Sequence, residues 1–153
     1  MKNSNELSSL LSGVAGEYYV AAELSKRGHL ASITLRNTKG VDILCSNEDA
    51  SKTVAIQVKT NRRSSREWIL NNKAEKDSSD NFFYVFVNLN DNVNSPDYFI
   101  VPSKFVSEFV TQSHQDWLDK PGAKGQKHND STMRKFADKD LEKYFKNRFL
   151  LTN

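Results

Sequence analysis

The chain has few of the features that define several large classes of protein. It has one cysteine, Cys45, among 153 residues, so an intrachain disulfide framework is excluded and a reducing cytosol is expected. No apolar run reaches the length of a membrane span, and the opening MKNSNELSSLL lacks a signal-peptide pattern. We therefore expect a cytoplasmic protein with no membrane segment.

Several familiar kinds of site are also missing from the sequence. The three histidines, His29, His114 and His128, are scattered and form no zinc pattern with a single cysteine. No Ser-His-Asp arrangement, P-loop or dinucleotide-binding glycine motif is evident. The net charge of +3 is too small to predict a polyanionic partner by itself, although the basic residues are clustered.

Helical periodicity predicts a helix over residues 5–28 that Gly28 ends. The stripe of apolar residues along it consists of Leu7, Leu10, Leu11, Val14, Val20, Ala21 and Leu24. Glu17 lies on the same stripe, whereas Glu23 points away to solvent. A carboxylate on the face that packs on the rest of the protein is a candidate functional residue.

Five strands are predicted after this helix, at 30–35, 41–45, 53–60, 82–89 and 98–101. Residues 61–81 are predicted to be irregular or helical, with Trp68, Ile69 and Leu70 as an apolar anchor that packs in the core. Further on we predict a helix from an N-cap at Ser103 to about His114, a loop at 119–132, and a closing helix from Lys139 to Leu150. This order predicts an α/β or α+β domain with a mixed sheet.

Several polar side chains fall on the same face of the predicted sheet when each strand residue is assigned to one of its two faces. Apolar residues alternate along 53–60, so Gln57 and Lys59 share the opposite face. If 41–45 pairs with this strand as a hairpin, Asp42 lies beside them. Glu17 joins the group if the first helix packs on this sheet.

Such a group suits a magnesium ion and a phosphate. Mg²⁺ prefers hard oxygen ligands and takes only one or two protein carboxylates. Asp42 offers one carboxylate and Glu17 a second, while Gln57 offers an amide oxygen and Val58 a backbone carbonyl. Lys59 can orient the attacking water and offset charge that builds in the transition state.

The same residues resemble those of a known family. Asp42, followed after a hairpin by Gln57-Val58-Lys59 and preceded by Gly16-Glu17 on a helix, looks like the motif of the PD-(D/E)XK nuclease superfamily. The likeness is to members that carry Q-x-K, as in Mrr-type restriction endonucleases and relatives of archaeal Holliday-junction resolvases. It extends to short uncharacterised bacterial proteins of this fold with YFIVPS after a core strand, and it covers about residues 10–102.

The resemblance implies a restriction-endonuclease-like α/β fold with an αβββαβ core at about 5–102. The mixed central sheet would be flanked by helices, and a C-terminal helical extension at about 103–153 would complete a single domain over 1–153. The resemblance also implies a Mg²⁺-dependent endonuclease. By motif position it assigns catalytic roles to Glu17, Asp42, Gln57 and Lys59, and metal binding to Asp42, Gln57, Val58 and Glu17.

Two positions depart from the family pattern. Val41 stands where the family's first motif often has proline, as in many members that lack it. Gln57 replaces a carboxylate, which lowers the negative charge of the site and its expected affinity for metal.

Three functions remain open from the sequence. The first is an endonuclease that hydrolyses DNA phosphodiester bonds with Mg²⁺ or Mn²⁺. The second is a catalytically weak or silent nuclease-fold module that binds nucleic acid or a protein partner in a regulatory role. The third is an interaction protein whose polar cluster is a buried specificity network.

Basic residues close to the motif suggest where nucleic acid binds. Arg62, Arg63 and Arg66 follow Lys59 and can contact phosphates, with a solvated basic loop as the equal alternative. The later basic stretch, Lys120 to His128, is interpreted as a connector in preference to a nucleic-acid clamp. A homodimer is plausible, because cutting both strands of a duplex with one site per chain favours a pair.

Overall fold

The described part of the chain folds into two long helices and seven strands. The computed structural model describes residues 8–35, 39–137 and 139. In chain order the elements are α1 (Ser9–Lys26), β1 (Leu30–Ile33), β2 (Ile43–Ser46), β3 (Thr53–Asn61), β4 (Glu67–Asn71), a 3₁₀ helix (Asn72–Glu75), β5 (Phe82–Asn88), a second 3₁₀ helix (Asn90–Asn92), β6 (Asp97–Pro102), α2 (Ser103–Asp119) and β7 (Met133–Ala137).

A mixed five-stranded sheet with the order β1-β2-β3-β5-β6 forms the middle layer. β3 and β5 are parallel, and every other neighbouring pair in this sheet is antiparallel. All five strands predicted from the sequence are present here, within one or two residues of their expected ends. The predicted class, a mixed α/β fold with helices flanking the sheet, is confirmed.

The two faces of the sheet are covered by different layers. On one face, Val20 and Leu24 of α1 pack against a cluster that includes Ile43, Ile56 and Val58. On the other face, α2 and the separate β4-β7 pair cover an aromatic cluster of Trp68, Tyr84, Phe86, Phe99 and Phe136. Because side chains alternate along β3, this strand presents apolar residues to α1 and Gln57 and Lys59 to the opposite side.

Two predicted segments differ from the structure. Residues 61–81, where the αβββαβ order requires a helix, hold β4 and a 3₁₀ helix instead. The C-terminal extension was expected to be helical, and α2 is, but β7 follows it and pairs antiparallel with β4. Trp68 and Leu70 alternate with exposed neighbours, a strand pattern whose partner lies far away in the sequence. Trp68 packs in the core as predicted, with its indole N–H donating to the Val87 carbonyl at 3.2 Å.

Smaller differences concern helix ends. Ser103 is the first residue of α2 rather than its N-cap, and its hydroxyl donates to the Ser79 carbonyl. The helix predicted from Lys139 to Leu150 lies outside the described residues, apart from Lys139 itself. Gly28 ends the first helical segment as predicted, with a positive φ of 87° that glycine adopts at little cost.

The buried stripe of α1 is the predicted one only in its second half, where Val20 and Leu24 are fully buried and Ala21 packs against the core. Leu10 and Leu11 are 65% and 53% exposed, and the buried residues of α1 are Ser12, Gly16, Val20 and Leu24. Gly16 explains the shift, since a Cβ placed there would lie 1.9 Å from Oγ1 of Thr60 on β3. The small residues Ser12 and Gly16 let the helix approach the strand closely, so the leucines of the first turn remain at the surface. Leu7 lies outside the described residues.

We expect Gly16→Ala to lower the free energy of unfolding by about 1–3 kcal/mol, because the methyl group overpacks the contact between α1 and β3. Gly13→Ala is the matched control on the same helix. A Cβ at Gly13 meets nothing within 4 Å, and alanine should add about 0.5–1 kcal/mol of helix stability there. Urea denaturation of both variants measures the difference, and equal effects would rule out the close contact.

Candidate functional site

The backbone hydrogen bonds between β2 and β3 end at Asp42, and the side chain of Asp42 accepts the next hydrogen bond from β3. The register runs from Ser46–Thr53 to Ile43–Ile56, and the Asp42 N–H then donates to the Ile56 carbonyl at 2.8 Å. The next bond is made by a side chain, because the Val58 N–H donates to Oδ2 of Asp42 at 2.7 Å. This hydrogen bond fixes the carboxylate at the point where the two strands separate.

The residue before β2 is also fixed from the side of β1. Thr34 donates its hydroxyl to the Val41 carbonyl at 2.6 Å and its N–H to the Asp42 carbonyl at 2.9 Å. The backbone around Asp42 is therefore bonded to β1 on one side and to β3 on the other. Such double support limits the positions that the carboxylate can take.

The hairpin register places three of the predicted site residues on one face. Ile43 and Ile56 are opposite each other and both buried on the α1 side. The next positions outward, Asp42 and Gln57, therefore point to the other side, and Lys59 follows two residues later on that same side. The hairpin on which the sequence hypothesis depended is thus present.

Burial raises the pKa of the Asp42 carboxyl above its ordinary value. The Val58 N–H and the positive charge of Lys59 act in the opposite direction, but they do not outweigh the loss of water. The charged carboxylate is thus held at a free-energy cost, which a bound cation would reduce. Raised carboxyl pKa values of this kind are common at functional sites.

The oxygen atoms around Asp42 fit a hard divalent cation. Oδ1 of Asp42 is not used by the Val58 hydrogen bond, and the Val58 carbonyl points to the same side of β3 as its N–H. Gln57 adds an amide oxygen on the neighbouring position. Among residues 8–35, 39–137 and 139, no three His, Cys, Asp or Glu side chains form a metal-binding group. Carboxylate and amide oxygens are ligands of the kind that Mg²⁺ takes, with few of them from the protein.

A groove of about 540 Å³ lies over this face of β3. Gln57 and Lys59 line it, together with the turn at Lys39 and Gly40 on one side and the 3₁₀ helix with Lys73 and its successor Lys76 on the other. Sequence reasoning did not single out Lys39, Lys73 or Lys76. They lie in polar segments without periodicity, and only the packing of β4 and the 3₁₀ helix brings them next to β3.

Glu17 is placed in a different layer. It is half-buried on α1, one residue after the Gly16 contact with β3, and α1 covers the face opposite to Gln57 and Lys59. Glu17 is not among the residues that line the groove. Gln57 and Lys59 line the groove, whereas Asp42 and Val58, which are joined by a hydrogen bond where β2 and β3 separate, are like Glu17 not among its lining residues.

The three arginines predicted to contact nucleic acid lie beyond the end of β3. Arg62 and Arg63 approach the Asp91 carboxylate at 4.0 and 3.7 Å. Arg66 donates to the Lys139 carbonyl at 2.9 Å, and none of the three lines the groove. These contacts give each arginine a role within the fold.

The loop at 119–132 packs against α2. The ring of His128 stacks on Trp117 at 4.1 Å, and His114 stacks on the same indole at 5.6 Å. His114 also contacts the Asp130 carboxylate at 2.7 Å. These contacts support the interpretation of this segment as a connector that leads from α2 to β7.

The fold and the site together describe a mixed α/β protein with a carboxylate at a strand opening beside a lysine-lined groove. No protein-family model and no curated protein matches the chain. Among solved structures, the chain is similar to the bacterial homing endonuclease I-Ssp6803I at 15% sequence identity and a TM-score of 0.47, covering 66% of this chain and 70% of that one. A similarity this remote assigns no family. In the described part of the chain no helix has the length and apolarity to cross a membrane.

We expect Asp42→Asn to raise the free energy of unfolding at about pH 7, because an amide oxygen can still accept from Val58 without burying a charge. The folded carboxyl binds its proton more tightly than the unfolded one. The cost of the charge is therefore absent below the unfolded pKa, 3.8, and develops as the pH rises through the folded pKa. The gain should accordingly disappear in acid.

Urea denaturation across this pH range measures the effect. Asp42→Ala loses the hydrogen bond and should cost about 1–3 kcal/mol. Asp49→Asn is the matched control, because hydrogen bonds from Ser51 lower the pKa of that exposed carboxyl, so its amide should bring no gain. An Asp42→Asn variant as unstable as Asp42→Ala would contradict this assignment.

Proposed function

We propose that the protein is a metal-dependent endonuclease that hydrolyses phosphodiester bonds of DNA with Mg²⁺ or Mn²⁺. The observation that carries the proposal is the carboxylate of Asp42, fixed by the Val58 N–H where β2 and β3 separate and stabilised by the charge of Lys59, which lines the groove. A carboxylate for a cation and an ammonium group for a phosphate oxygen are the minimum set for this chemistry.

Each residue of the set has a defined role in the proposal. Asp42 and the Val58 carbonyl, with the Gln57 amide, would hold the ion, which when bound would supply Lewis-acid charge at the scissile phosphate. Lys59 orients the attacking water and offsets the negative charge on the phosphoryl oxygens in the transition state. Its ammonium group is already close enough to Asp42 to stabilise that carboxylate.

Other predicted residues have supporting roles in the proposal. Glu17 would contribute a second carboxylate from α1. Arg62, Arg63 and Arg66 would contact phosphates beyond the end of β3, and the whole chain, 1–153, would act as one nuclease-like domain. Two copies, each with one site, would cut the two strands of a duplex.

We expect Asp42→Ala and Lys59→Ala each to lower the rate of Mn²⁺-dependent DNA cleavage by about 10²–10³-fold, which corresponds to about 3–4 kcal/mol of lost transition-state stabilisation. Cleavage of supercoiled plasmid and of branched DNA measures the rate. Lys52→Ala is the matched control, because this exposed lysine lies in the turn between β2 and β3 and outside the groove. Equal losses for Lys52 and Lys59 would contradict the role of Lys59.

A second function, the catalytically silent module, is favoured by Gln57. An amide in place of a carboxylate leaves Asp42 without a second carboxylate at the neighbouring position of β3, so fewer negative charges hold a cation there. A wild-type protein that cleaves neither DNA nor RNA with either metal, yet binds nucleic acid with a steep salt dependence, would have this function.

We expect Gln57→Glu to raise the affinity for Mn²⁺, because a second carboxylate beside Asp42 increases the negative charge of the ligand set. Isothermal titration with Mn²⁺ alone measures the affinity without any need for turnover. Asn61→Asp is a matched control on the same face of β3, since the Asn61 amide donates to the Glu67 carbonyl rather than lining the groove. An unchanged affinity for Mn²⁺ in Gln57→Glu would contradict the assignment of Gln57 as a metal ligand.

A further inference from the structure

The charges that line the groove over β3 are mainly positive. Among the described residues that line it, four are lysines: Lys39, Lys59, Lys73 and Lys76. Asp77 is the acidic residue in the same set, and it lies 3.4 Å from the Tyr84 hydroxyl. A polyanion lying along Gln57 and Lys59 would therefore meet positive charge from the turn before Asp42 and from the 3₁₀ helix opposite.

The wall that carries Lys73 and Lys76 is held firmly by the rest of the fold. Ala74 between them is 3% exposed, and the Asn71 side chain accepts from the Lys73 N–H at 3.2 Å. The Glu75 carboxylate accepts from Nε of Arg134, and the Glu75 carbonyl accepts from the Ser107 hydroxyl. Contacts from α2 and β7 thus fix the backbone positions of both lysines.

Arg134 connects this wall to β7. It is 6% exposed and also donates to the Ser131 and Met133 carbonyls at 2.6 and 2.9 Å. A buried arginine with three hydrogen bonds, one of them within an ion pair with Glu75, is a structural anchor. The spacing of Lys73 and Lys76 from Lys59 is therefore set before any ligand arrives, which reduces the entropy lost on binding.

The groove has no exposed surface on which a base can stack. Its one aromatic lining residue, Tyr84, is 1% exposed and stacks against Phe86 with ring centres 5.8 Å apart. Proteins that bind single strands combine positive charge with accessible aromatic rings. Ammonium groups alone contact phosphates, which position a nucleic acid without reading its sequence.

We propose that Lys39, Lys73 and Lys76 bind the sugar-phosphate backbone of duplex DNA on either side of the phosphate at Lys59, without reading the bases. The proposal rests on the proposed function, because it names the form of DNA presented to that same site. In this proposal the main phosphate contacts are made by the lysines of the groove, whereas the sequence predicted them at Arg62, Arg63 and Arg66. Duplex DNA fits this surface because its bases are already paired and stacked.

The test compares two double variants with the same loss of charge. Lys73→Gln/Lys76→Gln removes the two wall charges and keeps the length of each side chain. Lys26→Gln/Lys52→Gln removes two exposed charges, one at the end of α1 on the far side of the sheet and one in the β2–β3 turn. Fluorescence anisotropy measures the affinity of the full chain for a labelled 25-base-pair duplex (about 85 Å long) over a range of salt concentrations, with EDTA present to prevent cleavage.

We expect the groove variant to lower the slope of log affinity against log salt by about 1.8, since each lost phosphate contact accounts for about 0.9. The control pair should change the slope by clearly less. The loss should be the same for duplexes of different sequence, and a dT oligonucleotide of equal length should bind more weakly than the duplex. Equal slope changes in the two double variants, or tighter binding of dT, would overturn the proposal.

Failure of this proposal can be told apart from failure of the proposed function. Binding without a divalent ion does not depend on turnover. A protein that cleaves DNA but keeps its salt slope in Lys73→Gln/Lys76→Gln would overturn the groove proposal alone. A protein whose slope falls as expected but that cleaves nothing would overturn the endonuclease and leave the groove as the binding surface of a silent module.

Discussion

The hydrogen bond from the Val58 N–H to Oδ2 of Asp42 is the interaction on which the candidate site depends. It ends the pairing of β2 with β3 with a side chain in place of a backbone carbonyl. The strands can then separate without leaving the Val58 N–H unpaired, which would cost free energy in a partly buried position. The same bond leaves a carboxylate at the opening, with Lys59 two positions further along β3. The Asp42 carboxylate thus serves two purposes: it accepts the hydrogen bond of the Val58 N–H, and it is the charged group of the candidate site.

β3 serves two layers because its side chains alternate. One face contributes Ile56 and Val58 to the core under α1, and Gly16 lets that helix approach closely at Thr60. The other face carries Gln57 and Lys59 next to the aromatic cluster. The strand is central to the sheet, so neither face can move independently of the other. Rigidity of this kind is what a site that positions a phosphate and a cation needs.

The two-stranded sheet of β4 and β7 positions one wall of the groove beside the candidate site. β4 and β7 are separated by more than sixty residues in the chain, and their pairing brings Arg134 to Glu75. That contact fixes the 3₁₀ helix and its lysines across the groove from Lys39. The electrostatic character of the groove is thus a product of contacts made far from Asp42. The site motif and its charged walls are contributed by different parts of the fold.

The sequence alone determined the five strands of the central sheet, the hairpin of β2 and β3, and the shared face of Asp42, Gln57 and Lys59. These follow from local alternation and turn residues, which are properties of adjacent residues. The pairing of β4 with β7, the first half of the buried stripe of α1 and the lysine walls were decided by tertiary structure. β4 has no partner strand nearby in the sequence, Gly16 lies where α1 approaches β3 closely, and the lysines of the groove show no periodicity. None of these features can be recognised from adjacent residues. Only the packing of distant segments gives each of them its place.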